Sequence, residues 1–264
     1  MSTMIEIKDL TKVFPGRDGT PTVAALDRVS VAQRDGEFLA VMGPSGCGKT
    51  TLLNIVAGFE TPNSGTCNVA GRPVNGTGPD RGVVFQEYAL FPWMTVERNV
   101  TFAMQAAGKW SSDGHARARE ILGRMGLGNF LNAFPKNLSG GMRQRVAIAR
   151  ILAIDSPVML MDEPFGALDA LTRGVLQKEL MVLWRETKKT ILFITHSADE
   201  AIYLADRVLV MTPRPGKIVL ELKIDLPRPR DLTSPEFNQY KREILDVINP
   251  TLQSPAGSLQ AAVH

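Results

Sequence analysis

Phe38-Leu39-Ala40-Val41-Met42 runs directly into Gly43-Pro44-Ser45-Gly46-Cys47-Gly48-Lys49-Thr50-Thr51, and Leu52, Leu53, Ile55 and Val56 follow at helical spacing until Gly58. An unbroken apolar run of this length reads as a buried strand, and the later spacing reads as an amphipathic helix. The segment between them matches G-x-x-x-x-G-K-[ST] in the strand-to-helix context that this motif requires. Its glycines let successive backbone N–H groups turn inward around phosphate oxygens, and the helix start adds its partial positive charge. Lys49 is then expected to reach the β- and γ-phosphates, Thr50 to offer a hydroxyl to Mg²⁺, and Thr51 to donate to the α-phosphate. The competing reading is a glycine-rich turn without a ligand. A dinucleotide fingerprint is excluded, because Thr51 stands where its third glycine would fall.

A second apolar run, Val158-Met159-Leu160-Met161, ends in Asp162-Glu163. A buried strand of this kind delivers both acids to the carboxyl edge of a sheet, where ligands of open α/β sheets bind. Asp162 is expected to hold Mg²⁺ directly or through its water, and Glu163 to polarise the water that attacks the γ-phosphate. Acidic pairs after strands are also common as helix-cap neighbours, so the assignment leans on the phosphate loop. Leu138-Ser139-Gly140-Gly141-Met142-Arg143-Gln144-Arg145 opens a further helix, with Ser139 as cap and two glycines that leave room for a phosphate. Taken alone, such a start is most often only a cap.

The surrounding pattern supports an α/β fold. Strands are expected at Ile5–Ile7, 23–26, Val29–Val31, Thr66–Val69 and 83–85, with Pro15–Gly19 interrupting the first antiparallel set. Strand signals then vanish from Val96 to about Pro135, and a helical region interrupts the alternation. Helix 141–153, strand Val158–Met161, helix 172–186, strand 190–194, helix 199–205 and strands 208–211 and 217–222 follow. Strands alternating with helices imply a mostly parallel sheet covered on both faces. After Leu226 the composition shifts to Pro227-Arg228-Pro229-Arg230, and Phe237, Tyr240, Ile244 and Ile248 share one helical face. That is read as a linker and an amphipathic helix, with a disordered end from Pro250.

Composition narrows the class. The 264 residues carry 30 Lys+Arg against 27 Asp+Glu, and the net charge of +3 is mixed along the chain, which gives no case for nucleic-acid binding. Apolar runs are strand-sized, so no bilayer-spanning helix is expected. Met1–Lys12 has no apolar leader pattern, which makes the cytoplasm the expected compartment. Only Cys47 and Cys67 occur, too few for a disulfide framework.

In this order, the residues from about 4 to 225 closely resemble the nucleotide-binding subunit of ABC (ATP-binding cassette) transporters. Gly43–Thr50 looks like the Walker A loop, Val158–Asp162 the Walker B strand, and Glu163 falls at the catalytic glutamate. Leu138–Met142 resembles the signature motif, with Met142 where Gln is common. Gln86 resembles the Q-loop glutamine, which in the family senses Mg²⁺ and the membrane partner. Phe165–Asp169 resembles the D-loop region and His196 the switch histidine, here a γ-phosphate contact. Phe14 falls where the family stacks an aromatic ring on adenine, although the residues alone equally allow a core role. Tyr88–Met94 resembles the region that receives a coupling helix.

The resemblance implies a P-loop NTPase (RecA-like) core with an antiparallel β subdomain and an inserted helical subdomain at about 87–156, in a nucleotide-binding domain 1–225 followed by the appendage 226–264. It implies ATP and Mg²⁺ as ligands and a second nucleotide-binding subunit, identical or a paralogue, with ATP between the Walker A loop of one copy and Ser139, Gly140 and Gly141 of the other. Transmembrane permease subunits and a periplasmic or surface solute-binding protein are the implied partners, and the cytoplasmic face of the membrane the implied location. The chain from Phe165 to Asp169, from Thr195 to Ala201 and from Leu226 to Arg230 looks like the importer subgroup for nitrate, sulfonate, taurine or bicarbonate. Importers of pyrimidine or thiamine precursors share much of this pattern. ABC-type ATPases of DNA repair or translation fit less well, because the chain has no long coiled-coil insertion and a single cassette. Glu163 and His196 together argue against an inert ATP-binding scaffold.

Overall fold

The computed structural model describes residues 2–16 and 21–253. Contacts divide the chain into two compact units, one built from the segments before Gly78 and after Lys189, the other from Gly78–Lys189.

In the first unit, β1 (Thr3–Phe14) and β2 (Val23–Arg34) pair antiparallel over their length. The sequence pattern predicts three short strands here. The breaks in alternation are bulges: Asp9 and Arg28 adopt φ of 46° and 50°, and side chains of the paired strand hold them. Asp9 N donates to Ser30 Oγ at 2.9 Å and Arg28 N to Thr11 Oγ1 at 3.2 Å. A bulge leaves the strand continuous while defeating the period-two pattern. β1 ends at Phe14, before the expected Pro15–Gly19 interruption, and Arg17–Thr20 lie outside the described residues.

β3 (Phe38–Met42) is buried at every position and leads into α1 (Lys49–Ala57). Gly58 closes that helix at φ 82°, and a Cβ there would lie 2.0 Å from Gly76 O, so only glycine allows the approach. β4 (Ser64–Val69) and β5 (Arg72–Pro73) complete an antiparallel sheet of order β2-β1-β4-β5.

In the second unit, β6 (Arg81–Val84) is followed by α2 (Val96–Ala106), α3 (Gly114–Arg124) and α4 (Gly140–Ala153). β7 (Val158–Asp162) then pairs parallel with β6, and α5 (Ala170–Thr187) follows. Helices α2 to α4 close on a core that includes Val96, Val100, Leu122, Leu127 and Val146. The helical span expected at 87–156 holds these three helices. The compact unit is wider, 78–189, because the β6–β7 ladder and the close approach of α5 to α4 belong to it.

Back in the first unit, β8 (Thr190–Thr195), α6 (Ala198–Leu204), β9 (Arg207–Met211) and β10 (Ile218–Lys223) follow. β3 is flanked by parallel β8 and β9, and β10 pairs antiparallel with β9, giving the order β10-β9-β3-β8 in this unit. The Pro227–Arg230 stretch is no loose linker. Arg228 donates to Asp206 Oδ1 at 2.7 Å and Leu204 O at 2.6 Å, while buried Arg230 donates to Ala205 O at 2.6 Å and Ile224 O at 3.1 Å. Burial lowers the Arg230 pKa to about 10, so it keeps its charge at neutral pH.

α7 (Pro235–Gln253) lies on α6, with Phe237 and Ile244 buried and Lys241 paired to Asp199 at 2.8 Å. The helix continues past Pro250, where composition predicts the start of a disordered end; residues 254–264 lie outside the described residues. Among the described residues, no helix is long and apolar enough to cross a membrane.

Candidate functional site

In the first unit, the phosphate loop leaves the carboxyl end of β3. Gly48 at φ 102° is the N-cap of α1, and a Cβ there would lie 2.6 Å from Ala25 O. Gly46 also turns through the left-handed region, at φ 76°. Pro44, Ser45, Cys47, Thr50 and Thr51 complete the loop and first turn as the sequence reading placed them, with Cys47 wholly buried. Lys49 is 5% exposed, and its ammonium donates to Gly43 O at 2.9 Å and Pro44 O at 3.0 Å. A buried ammonium needs such partners. They also hold the cation at the mouth of the loop it would serve.

The β3–β8 register pairs Met42 with Thr195, so Gly43 and His196 leave the same edge of adjacent parallel strands. His196 is exposed there. Its neighbours are fixed: Thr195 Oγ1 accepts from Ser197 N at 3.0 Å and donates to Glu200 Oε2 at 2.6 Å, while Ser197 caps α6 by accepting from Glu200 N at 3.3 Å. Phe14 ends β1 opposite Val23 as a half-buried ring, not a core residue. Lys12 Nζ sits 4.8 Å from its centroid, a cation–π contact, and pairs with Glu60 at 2.8 Å.

In the second unit, β6 and β7 pair Val84 with Met161, so Phe85-Gln86 and Asp162-Glu163 leave one edge together. Glu163 adopts φ 44°, costly for a residue with a side chain, at roughly 1–3 kcal/mol. A turn holds it there, with Gly166 N donating to Glu163 O at 3.0 Å. Gln86 and Glu163 converge on Gly166: a Cβ at that glycine would lie 3.8 Å from both Gln86 Nε2 and Glu163 Oε2. Asp162 is half-buried at the strand end.

The helix start expected at Ser139–Gly141 is present, with Ser139 Oγ accepting from Met142 N at 3.3 Å. Its glycines stand in tight packing. A Cβ at Gly141 would lie 2.7 Å from Thr172 Cγ2, and one at Gly140 would lie 3.0 Å from Leu168 Cδ2 and 3.2 Å from Tyr88 Oη. Asp169 caps α5 through Thr172 N at 3.0 Å, which holds its carboxyl below the ordinary aspartate range.

Two residues that support this edge were not singled out in the sequence. Arg150, inside the apolar run of α4, donates to Tyr88 O at 2.9 Å and Ala89 O at 2.8 Å, and burial lowers its pKa to about 10. Asn99, wholly buried, accepts from Phe91 N at 2.9 Å and donates to Met94 O at 3.1 Å, which fixes the segment after Gln86. A charged or amide side chain within an apolar helical face was the visible signal for each.

In the first unit Thr50 offers a hydroxyl, and in the second Asp162 and Gln86 offer a carboxylate and an amide oxygen. Hard oxygen ligands of these kinds are the ones Mg²⁺ takes.

Known proteins resemble this chain over most of its length. The ABC transporter family model matches residues 26–166. A nitrate import ATP-binding protein of Synechocystis sp. is 47% identical over 253 residues, 92% of this chain and 94% of that protein. A taurine import ATP-binding protein of Rhizobium johnstonii is 45% identical over 256 residues, 94% of this chain and 97% of that protein. Among solved structures, a dimeric ATP-binding cassette in a post-hydrolysis state, bound to ADP and phosphate, superposes with a TM-score of 0.73 at 33% identity, over 85% of this chain and 100% of that one. The chain belongs to the ABC transporter family, as one of its ATP-binding, ATP-hydrolysing cassettes.

Proposed function

We propose that this chain is the ATP-hydrolysing subunit of an importer for a small anion, with Glu163 as the group that activates water. The observation that carries the reading is the placement of Glu163: it follows Asp162 at the end of β7, on strained left-handed backbone, with Gln86 beside it. Strain of that kind persists where a site requires a side chain to point in one direction.

In this reading, Gly43–Thr51 cradles the triphosphate, Lys49 turns from its loop carbonyls to the β- and γ-phosphates, and Phe14 stacks on adenine. Thr50, Asp162 and Gln86 would hold Mg²⁺, which would supply charge neutralisation at the phosphates. Glu163 takes a proton from water as its oxygen bonds to the γ-phosphorus and the bond to the β-phosphate oxygen breaks, while His196 donates to a γ-phosphate oxygen. Positioning and charge stabilisation are the main work in such phosphoryl transfers.

Ser139, Gly140 and Gly141 complete the site of a second nucleotide-binding subunit, so that ATP bridges two copies and hydrolysis reopens them. Transmembrane permease subunits and a solute-binding protein outside the membrane are the other partners, and the chain works at the cytoplasmic membrane face. The nitrate and taurine import relatives support a small solute that carries an oxyanion group.

The test is ATP turnover by the purified chain and its Glu163→Gln variant, with gel filtration in Mg-ATP. The expected result is loss of turnover with ATP-dependent dimerisation retained. Unchanged turnover would remove Glu163 from this role. The solute is tested by reconstituting the complex in vesicles, where nitrate or taurine uptake should require ATP inside.

A further inference from the structure

The turn between β9 and β10, Thr212-Pro213-Arg214-Pro215-Gly216-Lys217, is fastened against the phosphate loop. Gly216 N donates to Ala25 O at 3.0 Å, and Asp27 N donates to Gly216 O at 3.1 Å. Inside the turn, Thr212 N donates to Lys217 O at 2.9 Å and Thr212 Oγ1 to Pro215 O at 3.1 Å. A Cβ at Gly216 would lie 2.2 Å from Cys47 O, so glycine alone brings the turn this close.

This anchoring carries Arg214 to the loop. Its Nη2 lies 2.9 Å from where a Cβ on Gly46 would stand. Arg214 is exposed, and among the described residues it makes no hydrogen bond or ion pair. The carboxylate of Asp27, next to the turn, is taken by Lys217 at 2.8 Å and Arg28 at 3.3 Å. Among the described residues, two cations therefore stand at the phosphate loop: Lys49, bonded to its carbonyls, and Arg214, whose guanidinium lies over Gly46. The planar fork of arginine suits phosphate oxygens.

We propose that Arg214 is a further nucleotide-binding residue, donating its guanidinium to the phosphate chain of the nucleotide in Gly43–Thr50. The proposal rests on the nucleotide reading of that loop given above. Because the contact is to charge and lies at the surface, its contribution falls as salt rises.

The test is equilibrium binding of Mg with a non-hydrolysable ATP analogue to the full chain, at low and high salt. Wild type, Arg214→Ala, Arg214→Lys and Lys49→Ala are compared, with melting temperatures taken without nucleotide. Loss of one charge-assisted contact predicts about tenfold weaker binding for Arg214→Ala at low salt, a smaller ratio at high salt, and partial recovery in Arg214→Lys. The nucleotide-free melting temperature stays at the wild-type value. Unchanged affinity in Arg214→Ala would overturn the proposal alone, and so would a salt-independent loss accompanied by a lower melting temperature. Wild type binding no better than Lys49→Ala would defeat the nucleotide reading of the loop, and the proposal with it.

Discussion

Thr195 donates its hydroxyl proton to Glu200 across 2.6 Å, and this bond closes a ring of contacts around His196. Ser197 N returns to the same hydroxyl at 3.0 Å, and Glu200 N returns to Ser197 Oγ at 3.3 Å. The residues on both sides of the histidine are thus tied to the first turn of α6, while the imidazole itself stays exposed.

Glu200→Ala should therefore act on His196 without touching nucleotide. Turnover is expected to fall on the order of tenfold or more, because a small displacement of a positioned group costs that much, while equilibrium ATP binding changes little. Stability should drop by about 1–3 kcal/mol from the buried hydroxyl left without its acceptor. Glu200→Gln, which keeps an acceptor oxygen, should recover most of both. Steady-state kinetics beside nucleotide titration checks the split, and an equal loss in binding would assign Glu200 a general structural role.

Gly141 tests packing apart from chemistry. Gly141→Ala should destabilise the chain by about 1–3 kcal/mol through overpacking, since the new Cβ would meet Thr172 Cγ2 at 2.7 Å. Thr172→Ser removes that methyl, and the next atom, Leu176 Cδ1, is at 3.7 Å. The double variant should regain most of the lost stability in denaturant unfolding. If it does not, the glycine is required by its backbone and not by its neighbour.

The parts of this molecule that were legible in sequence are those whose information lies in one short run. Phe38–Thr51 shows strand, loop and helix start without interruption, and Val158–Glu163 shows a buried strand ending in acids. What stayed hidden depends on distant partners. Asp9 and Arg28 break the alternation of β1 and β2, yet the bulges they form keep each strand whole, which only the pairing reveals. Arg214 reaches Gly46 because Gly216 lets a turn lie on Cys47, a contact between residues far apart in the chain. Pro227–Arg230 reads as a linker by composition, but Arg228 and Arg230 find carbonyls at the end of α6. The clustering of Gln86 with Glu163 likewise follows from the Val84–Met161 register and not from spacing.

Acid stability should depend on Asp155. Its Oδ1 accepts from Lys189 Nζ at 2.8 Å, and Lys189 also donates to Ser156 O at 2.8 Å. The Lys189 hydrogen bond holds the carboxyl below the ordinary aspartate value. A depressed folded pKa means stability fully present above the unfolded pKa, about 4, and lost as pH falls through the lower folded value. Asp155→Asn should flatten the stability curve in that acid window and lower the plateau at neutral pH, because buried Lys189 loses its counter-charge. The largely exposed carboxylate keeps the effect small. Urea unfolding at successive pH values measures it; parallel curves for the two proteins would exclude the pair.

Arg150 should govern the order of the segment after Gln86. Tyr88 and Ala89 adopt φ of 63° and 47°, and the carbonyls of both are held by the Arg150 guanidinium. With a pKa of about 10, Arg150 is charged throughout the working range, so these are charge-assisted bonds worth roughly 1.5–3 kcal/mol each. Arg150→Met keeps an unbranched apolar stem in place but returns nothing to the two carbonyls. Hydrogen exchange should then quicken across residues 86–94, while the α2–α4 core around Val100 and Val146 remains protected. Faster exchange in that core as well would mean that Arg150 supports the helical unit as a whole; confinement to the segment would identify it as the brace that holds Gln86 beside Glu163.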